Sequence, residues 1–156
     1  LYAYLNRLLP GRSAQVDDVF QQTWIRAIDR LGSYRHEEKF SAWLMRIAHN
    51  FAIDHFRAEK RRGESSMDDG LETALPDSPA ESPWRTLDSQ ELGEAIEQAV
   101  ADLPPDLREV FLLRREDVPF REIARIQNCS INTCLGRMQY ALKQLRKALG
   151  RWRTEE

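Results

Sequence analysis

The 156 residues carry a formal net charge of −2, with 31% charged and 42% hydrophobic side chains, which suits one compact domain or two small helical domains joined by a linker. No stretch approaches the roughly 20 apolar residues that a membrane-crossing helix needs, and the opening residues lack a charged-then-apolar leader, so the expectation is a soluble, cytoplasmic protein without membrane insertion. Cys129 and Cys134 share a helical stretch at a spacing that suits metal ligands poorly, and a lone pair is weak evidence for an oxidised scaffold, so buried thiols and no metal are expected.

Taken in chain order, Leu1, Leu5, Leu8 and Leu9 already follow a helical pattern, which predicts a native start upstream of Leu1. Val19, Phe20, Trp24, Ile28 and Leu31 predict an amphipathic helix over Ser13 to Leu31, capped by Ser13, with Asp17 and Asp18 in its early turns. Gly32 to His36 breaks the pattern. Phe40, Trp43, Leu44, Ile47 and Phe51 then predict a helix from about Phe40 to Arg61, with Trp43, Leu44, Ile47 and Phe51 facing inward. The stretch from Gly63 onward is rich in Pro, Ser and acids and has little apolar periodicity, so a flexible linker over 63–86 is expected between domains at 1–62 and 87–153.

Beyond the linker, Leu92, Ile96, Ala99, Val100 and Leu103 predict a helix ended by Pro104-Pro105, and Leu107, Val110, Phe111 and Leu113 another. Pro119 opens a short helix with Ile123, Ala124 and Ile126. Gln127-Asn128-Cys129 turns the chain, with Asn128 suited to a left-handed backbone. Ser130 caps a long helix with Ile131, Cys134, Met138, Leu142, Leu145 and Leu149 at helical spacing. No alternating strand pattern appears, so the fold class is all-α.

Charge is distributed in blocks. Between Gly63 and Asp102 eleven acids face a single base, Arg85, whereas Arg121 to Arg153 holds eight bases and one acid, Glu122; Arg57, Lys60, Arg61 and Arg62 make a second basic cluster. Two basic surfaces separated by an acidic strap suit a protein that meets a polyanion at two places, since each neutralised phosphate releases counterions. Short helix, small Ala124, tight turn and long helix form a helix-turn-helix, whose second helix would read the major groove with Asn132, Thr133, Gly136 and Arg137. Arg137 is suited to bidentate pairing with guanine. Along Phe40 to Arg61, aromatic and basic residues interleave as they do in single-strand binders, and the polar face consists of Arg46, His49, Asn50, Asp54 and Arg57.

These motifs resemble the extracytoplasmic-function (ECF) group of bacterial sigma-70 factors over nearly the whole chain. "LPPDLREVFLLRREDVPFREIARIQNCSINTCLGRMQYALKQLRKAL" resembles region 4, "VDDVFQQTWIRAIDRL" region 2.2, and "FSAWLMRIAHNFAIDHFRAEKRR" regions 2.3 and 2.4. The family usually has an acid at Gln22, a Gly at Asn128, a Lys near Leu135 and a basic residue near Tyr140, so this recognition helix carries fewer cations than usual. The resemblance implies an alternative sigma factor that binds core RNA polymerase and directs promoter-specific initiation. It makes Arg121, Ser130, Asn132, Thr133, Gly136, Arg137 and Lys143 the contacts to the minus-thirty-five element. It makes Ser33, Tyr34, Arg35, His36 and Lys39 of the loop, with Arg46, His49, Asn50, Asp54 and Arg57, the site that captures an unstacked minus-ten base. Asp17, Asp18, Gln21, Gln22, Ile25, Arg26 and Asp29 would dock on the clamp helices of the polymerase's largest subunit, with the flap region as a second contact and an anti-sigma factor as a possible regulator.

Catalysis is not expected. His36, His49 and His55 show no metal spacing, and neither a phosphate loop nor a nucleophile elbow is present, so no cofactor is implied. Two other readings fit parts of the pattern: a dimeric helix-turn-helix regulator independent of polymerase, and a sigma-like mimic that binds only an anti-sigma protein.

Overall fold

The computed structural model describes residues 1–36, 39–65 and 89–152. Among these there are seven α-helices and no strand: α1 (Tyr2–Leu8), α2 (Ser13–Arg30), α3 (Phe40–Ser65), α4 (Ser89–Ala101), α5 (Pro105–Arg115), α6 (Phe120–Ile126) and α7 (Ile131–Ala148). Loop positions 37 and 38, the linker from position 66, and Arg153 of the basic tail lie outside the described residues. The all-α class holds. The boundary expected after Arg62 does not coincide with a helix end, because α3 continues through Gly63 to Ser65. Once a helix is nucleated, each further residue adds cheaply, and one glycine, at about 1 kcal/mol relative to alanine, does not stop it.

The buried stripe of α2 differs from the one expected. Val16, Val19, Thr23 and Ala27 are buried, whereas Trp24, Ile28 and Leu31 are exposed, Ile28 to 70%. Small Ala27 belongs to a cluster with Trp43, Leu44 and Ile47 of α3, so the close crossing of α2 and α3 uses small side chains and turns the larger ones outward. Ser13 is not a cap either. It is the first residue of α2, and Arg12 stands at the N-cap without a side-chain hydrogen bond.

The sequence left one compact domain or two small cores open; the main buried cluster runs through both parts, beside the smaller one of Ala27, Trp43, Leu44 and Ile47. Tyr4, Leu5, Leu8 and Leu9 join Val16, Val19, Ala48 and Ala52 on one side to Leu103, Val110, Leu112 and Leu113 on the other. Leu5 is fully buried and Leu8 nearly so, each worth about 1.5–3 kcal/mol against an exposed position. Helical units this small bury little apolar surface alone, and α1 supplies the shared surface by packing against α2, α4 and α5.

Arg108 ties the same junction with polar bonds. Its guanidinium donates to the carbonyls of Val100 (3.3 Å), Ala101 (2.6 Å) and Leu103 (2.8 Å), and across to Leu8 (2.8 Å). It thereby satisfies orphan carbonyls at the end of α4 and sets positive charge at the negative pole of that helix. Burial and the nearby Arg12 lower its pKa.

Candidate nucleic-acid and polymerase interfaces

The helix-turn-helix is built as its sequence suggests. Asn128 adopts φ 51° in the turn, Ala124 is buried at the crossing, and Ser130 accepts from the Thr133 amide at 3.0 Å while its hydroxyl meets that of Thr133 at 2.9 Å. Asp117 also adopts a positive φ, 59°, between α5 and α6; nothing in the residue pattern pointed to that turn. Ser130, Asn132, Thr133, Lys143 and, from α6, Arg121 are exposed. Gly136 has open space where a side chain would stand. A helix-interior glycine costs about 1 kcal/mol relative to alanine, and no packed neighbour requires one here.

Arg137 is placed differently from its neighbours. Its guanidinium donates to Gln127 Oε1 at 2.9 Å and lies 3.4 Å from Asp106, so it is held by partners within the chain. Ile131, counted in the apolar stripe of α7, is 48% exposed, as is Leu135 to 38%. The physical reason is that α7 packs through Cys134, Ala141 and Leu145, which leaves positions 131 and 135 on the flank. The two cysteines are free, and burial pushes the Cys134 thiol up, with the field of Cys129 adding to it.

The ten candidates for the minus-ten site fall into two groups. Around the loop, Tyr34 stacks edgewise on His36 (5.6 Å between centroids) and on Phe40 (5.6 Å), and lies 5.2 Å from Trp43; Ser33, Arg35 and Lys39 are exposed beside it. The second group, on α3, faces the C-terminal helices. Arg46, His49, Asn50, Asp54 and Arg57 line a cleft of about 600 Å³ with Asp106, Glu109, Gln127 and Arg137 opposite. Arg46 bonds Glu122 at 3.1 Å, and His49 Nδ1 lies 2.6 Å from Glu109. Glu109 also accepts from the Tyr4 hydroxyl (3.3 Å) and from Gln127 (2.9 Å). His49, placed on the polar face by its spacing, is buried.

All seven candidates on the α2 face are exposed. Asp17 accepts from the Tyr2 hydroxyl at 2.8 Å, and Asp18 lies 2.9 Å from His55. The bond to Asp17 and its negative charge hold the Tyr2 phenol above its usual pKa. Ile28 and Leu31, missed as surface residues, extend Ile25 into an apolar stripe on this face; the signal available was the excess of apolar residues around α2 over what one stripe can bury. Among the described residues no group of three His, Cys, Asp or Glu is gathered to hold a metal, and no helix is long and apolar enough to cross a membrane.

Two family models match this arrangement: sigma-70 region 2 over residues 1–62, and sigma-70 region 4 over residues 93–145. The chain is 34% identical over 140 residues to the ECF RNA polymerase sigma-E factors of Salmonella typhimurium and of Escherichia coli K12, spanning 86% of this chain and 72% of each relative. It is equally similar, 34% over 143 residues, to the RNA polymerase sigma-H factor of Pseudomonas aeruginosa, with 86% and 73% covered. Among solved structures, the sigma factor RpoE of Bartonella quintana, crystallised with the anti-sigma factor NepR, shares the fold with a TM-score of 0.71. Its identity is 23%, and the match covers 96% of this chain and 89% of that one. The chain therefore belongs to the sigma-70 family, in its ECF group. It is an alternative sigma factor that directs transcription initiation, a family of non-enzymatic factors that work with RNA polymerase and promoter DNA.

Proposed function

We propose that residues 1–62 form the polymerase-binding and minus-ten module, 63–86 the linker, and 87–153 the minus-thirty-five module. The outer face of α2 docks on the clamp helices of the polymerase's largest subunit, and the C-terminal module meets the flap region. The loop around Tyr34 and the polar face of α3 receive an extruded minus-ten base, while α7, flanked by Arg121, reads the minus-thirty-five duplex. Extruding a base costs a few kcal/mol, and a site that binds the freed base offsets that cost without covalent chemistry. The working compartment is the cytoplasm, where the polymerase is.

The observation that carries the docking assignment is the apolar stripe Ile25, Ile28 and Leu31, exposed to 63%, 70% and 56%, with the exposed Asp17, Asp18 and Asp29 on the same helix as Ile25 and Ile28. Contiguous exposed apolar surface marks a protein contact. Ile28→Asp is expected to cut core-polymerase capture by about tenfold or more, as loss of a central interface residue does, while circular dichroism stays unchanged. Full capture by the folded variant would remove the assignment. An anti-sigma factor is a further partner in this reading. The Bartonella relative was crystallised with one, and the arrangement in which Arg46 and His49 are engaged by Glu122 and Glu109 is a form that such a protein would hold.

A further inference from the structure

The outer side of α7 is short of the charged groups that commonly read bases. Across its first two turns it presents the uncharged Asn132 and Thr133, the open position at Gly136, and two large aliphatic side chains, Ile131 and Leu135, 48% and 38% exposed. Residues four apart on a helix lie one above the other, so these two form a short ridge. Arg137 is bound to Gln127 and Asp106 instead, and the next cation along the helix is Lys143. The surroundings of the ridge point to its occupant. Arg121 and Arg125 of α6, which lie 3.7 and 2.9 Å from Glu122 and together outweigh its single negative charge, share a hollow with Ser130 and Ile131, and Lys143 and Lys147 continue the positive charge beyond it. An apolar ridge inside a cationic rim, on the second helix of a helix-turn-helix, suits a polyanion that offers apolar groups in its groove. In the major groove of DNA those groups are the 5-methyls of thymine.

We infer that Leu135, with Ile131 beside it, reads thymine methyl groups in the upstream promoter element. Sequence preference there is set by apolar contact, and the surrounding cations hold the backbone without discriminating between bases. Gly136, adjacent to Leu135 and without a Cβ, lets the helix come close enough for the contact. This inference rests on the reading of α7 as the minus-thirty-five reader.

The test uses holoenzyme reconstituted from core polymerase and the full chain. Holoenzyme first selects promoter duplexes from a library randomised across the upstream element, and each thymidine of the selected element is then replaced by deoxyuridine, which removes the methyl and keeps the pairing. The expected result is a loss of about three- to tenfold in affinity at one or two positions. Leu135→Ala binds the thymidine duplex more weakly by a similar factor and no longer separates it from the deoxyuridine duplex. Ile131→Ala gives a smaller loss of the same kind, and Lys143→Ala weakens both duplexes equally. The inference is overturned if wild-type holoenzyme ignores the methyl at every position, or if Leu135→Ala keeps the wild-type ratio. It also falls if Leu135→Ala binds DNA normally and loses core polymerase, since the ridge is then a protein contact. Selection of no upstream sequence at all is a distinct result, which removes the promoter-reading role of α7 itself.

Discussion

Glu109 shows how much a single polar residue settles in this fold. Its carboxylate accepts from Tyr4 and from Gln127 and lies 2.6 Å from His49 Nδ1 at the meeting of the N- and C-terminal helices, and a buried carboxylate needs donors to offset lost hydration. Burial, with the field of Glu109 added, raises the Tyr4 phenol well above the usual 10.0. The folded chain therefore holds that proton more tightly than the unfolded chain does. The linked stability is fully present below pH 10 and is lost as pH rises through the folded value. Tyr4→Phe, which cannot titrate, is expected to flatten the alkaline fall in thermal stability and to cost about 1 kcal/mol at neutral pH for the lost hydrogen bond. Melting curves from pH 8 upward check this; parallel curves for the two proteins would refute it. Within "DLREVF", Glu109 looks like any solvated acid, because periodicity reports which face is apolar and not which polar residue meets another element.

At the scale of elements, the helices were legible because their apolar spacing, Pro119, Asn128 and Ser130 each state a local backbone preference. The buried side of α2 was not, since Thr23 and Ala27 are weak hydrophobes whose value lies in letting α3 come close. Arg108 was likewise invisible as the residue that closes α4. Its guanidinium serves four carbonyls on two sides of the junction, and hydrogen bonds to charged groups contribute more than neutral ones. Arg108→Ala is expected to destabilise the fold by about 3 kcal/mol, read by urea unfolding. Arg108→Lys should recover only part of this, because an ammonium lacks the planar fan of donors. A loss below about 1 kcal/mol for the alanine variant would contradict the junction role.

For the whole molecule, charge blocks and motif order made the two-part organisation readable, whereas the docking of one part on the other was not. That docking depends on α1, whose leucines showed only helical spacing in the sequence and serve both parts in the structure. It also decides which candidate surfaces are accessible: the outer faces of α2 and α7 are open, while Arg46 and His49 of α3 are engaged by Glu122 and Glu109. On the proposed reading, use of Arg46 and His49 of α3 together with α7 on one promoter requires the two parts to separate. With dyes at the exposed positions Ala14 and Gln144, energy transfer is expected to fall when core polymerase is added, and an unchanged signal in an active holoenzyme would contradict the opening. The most direct measurement remains run-off transcription from linear promoter templates with core polymerase and the purified chain. Transcripts with a defined 5′ end, absent with core polymerase alone, are the expected result; a pattern identical to that of core polymerase alone would contradict initiation by this protein.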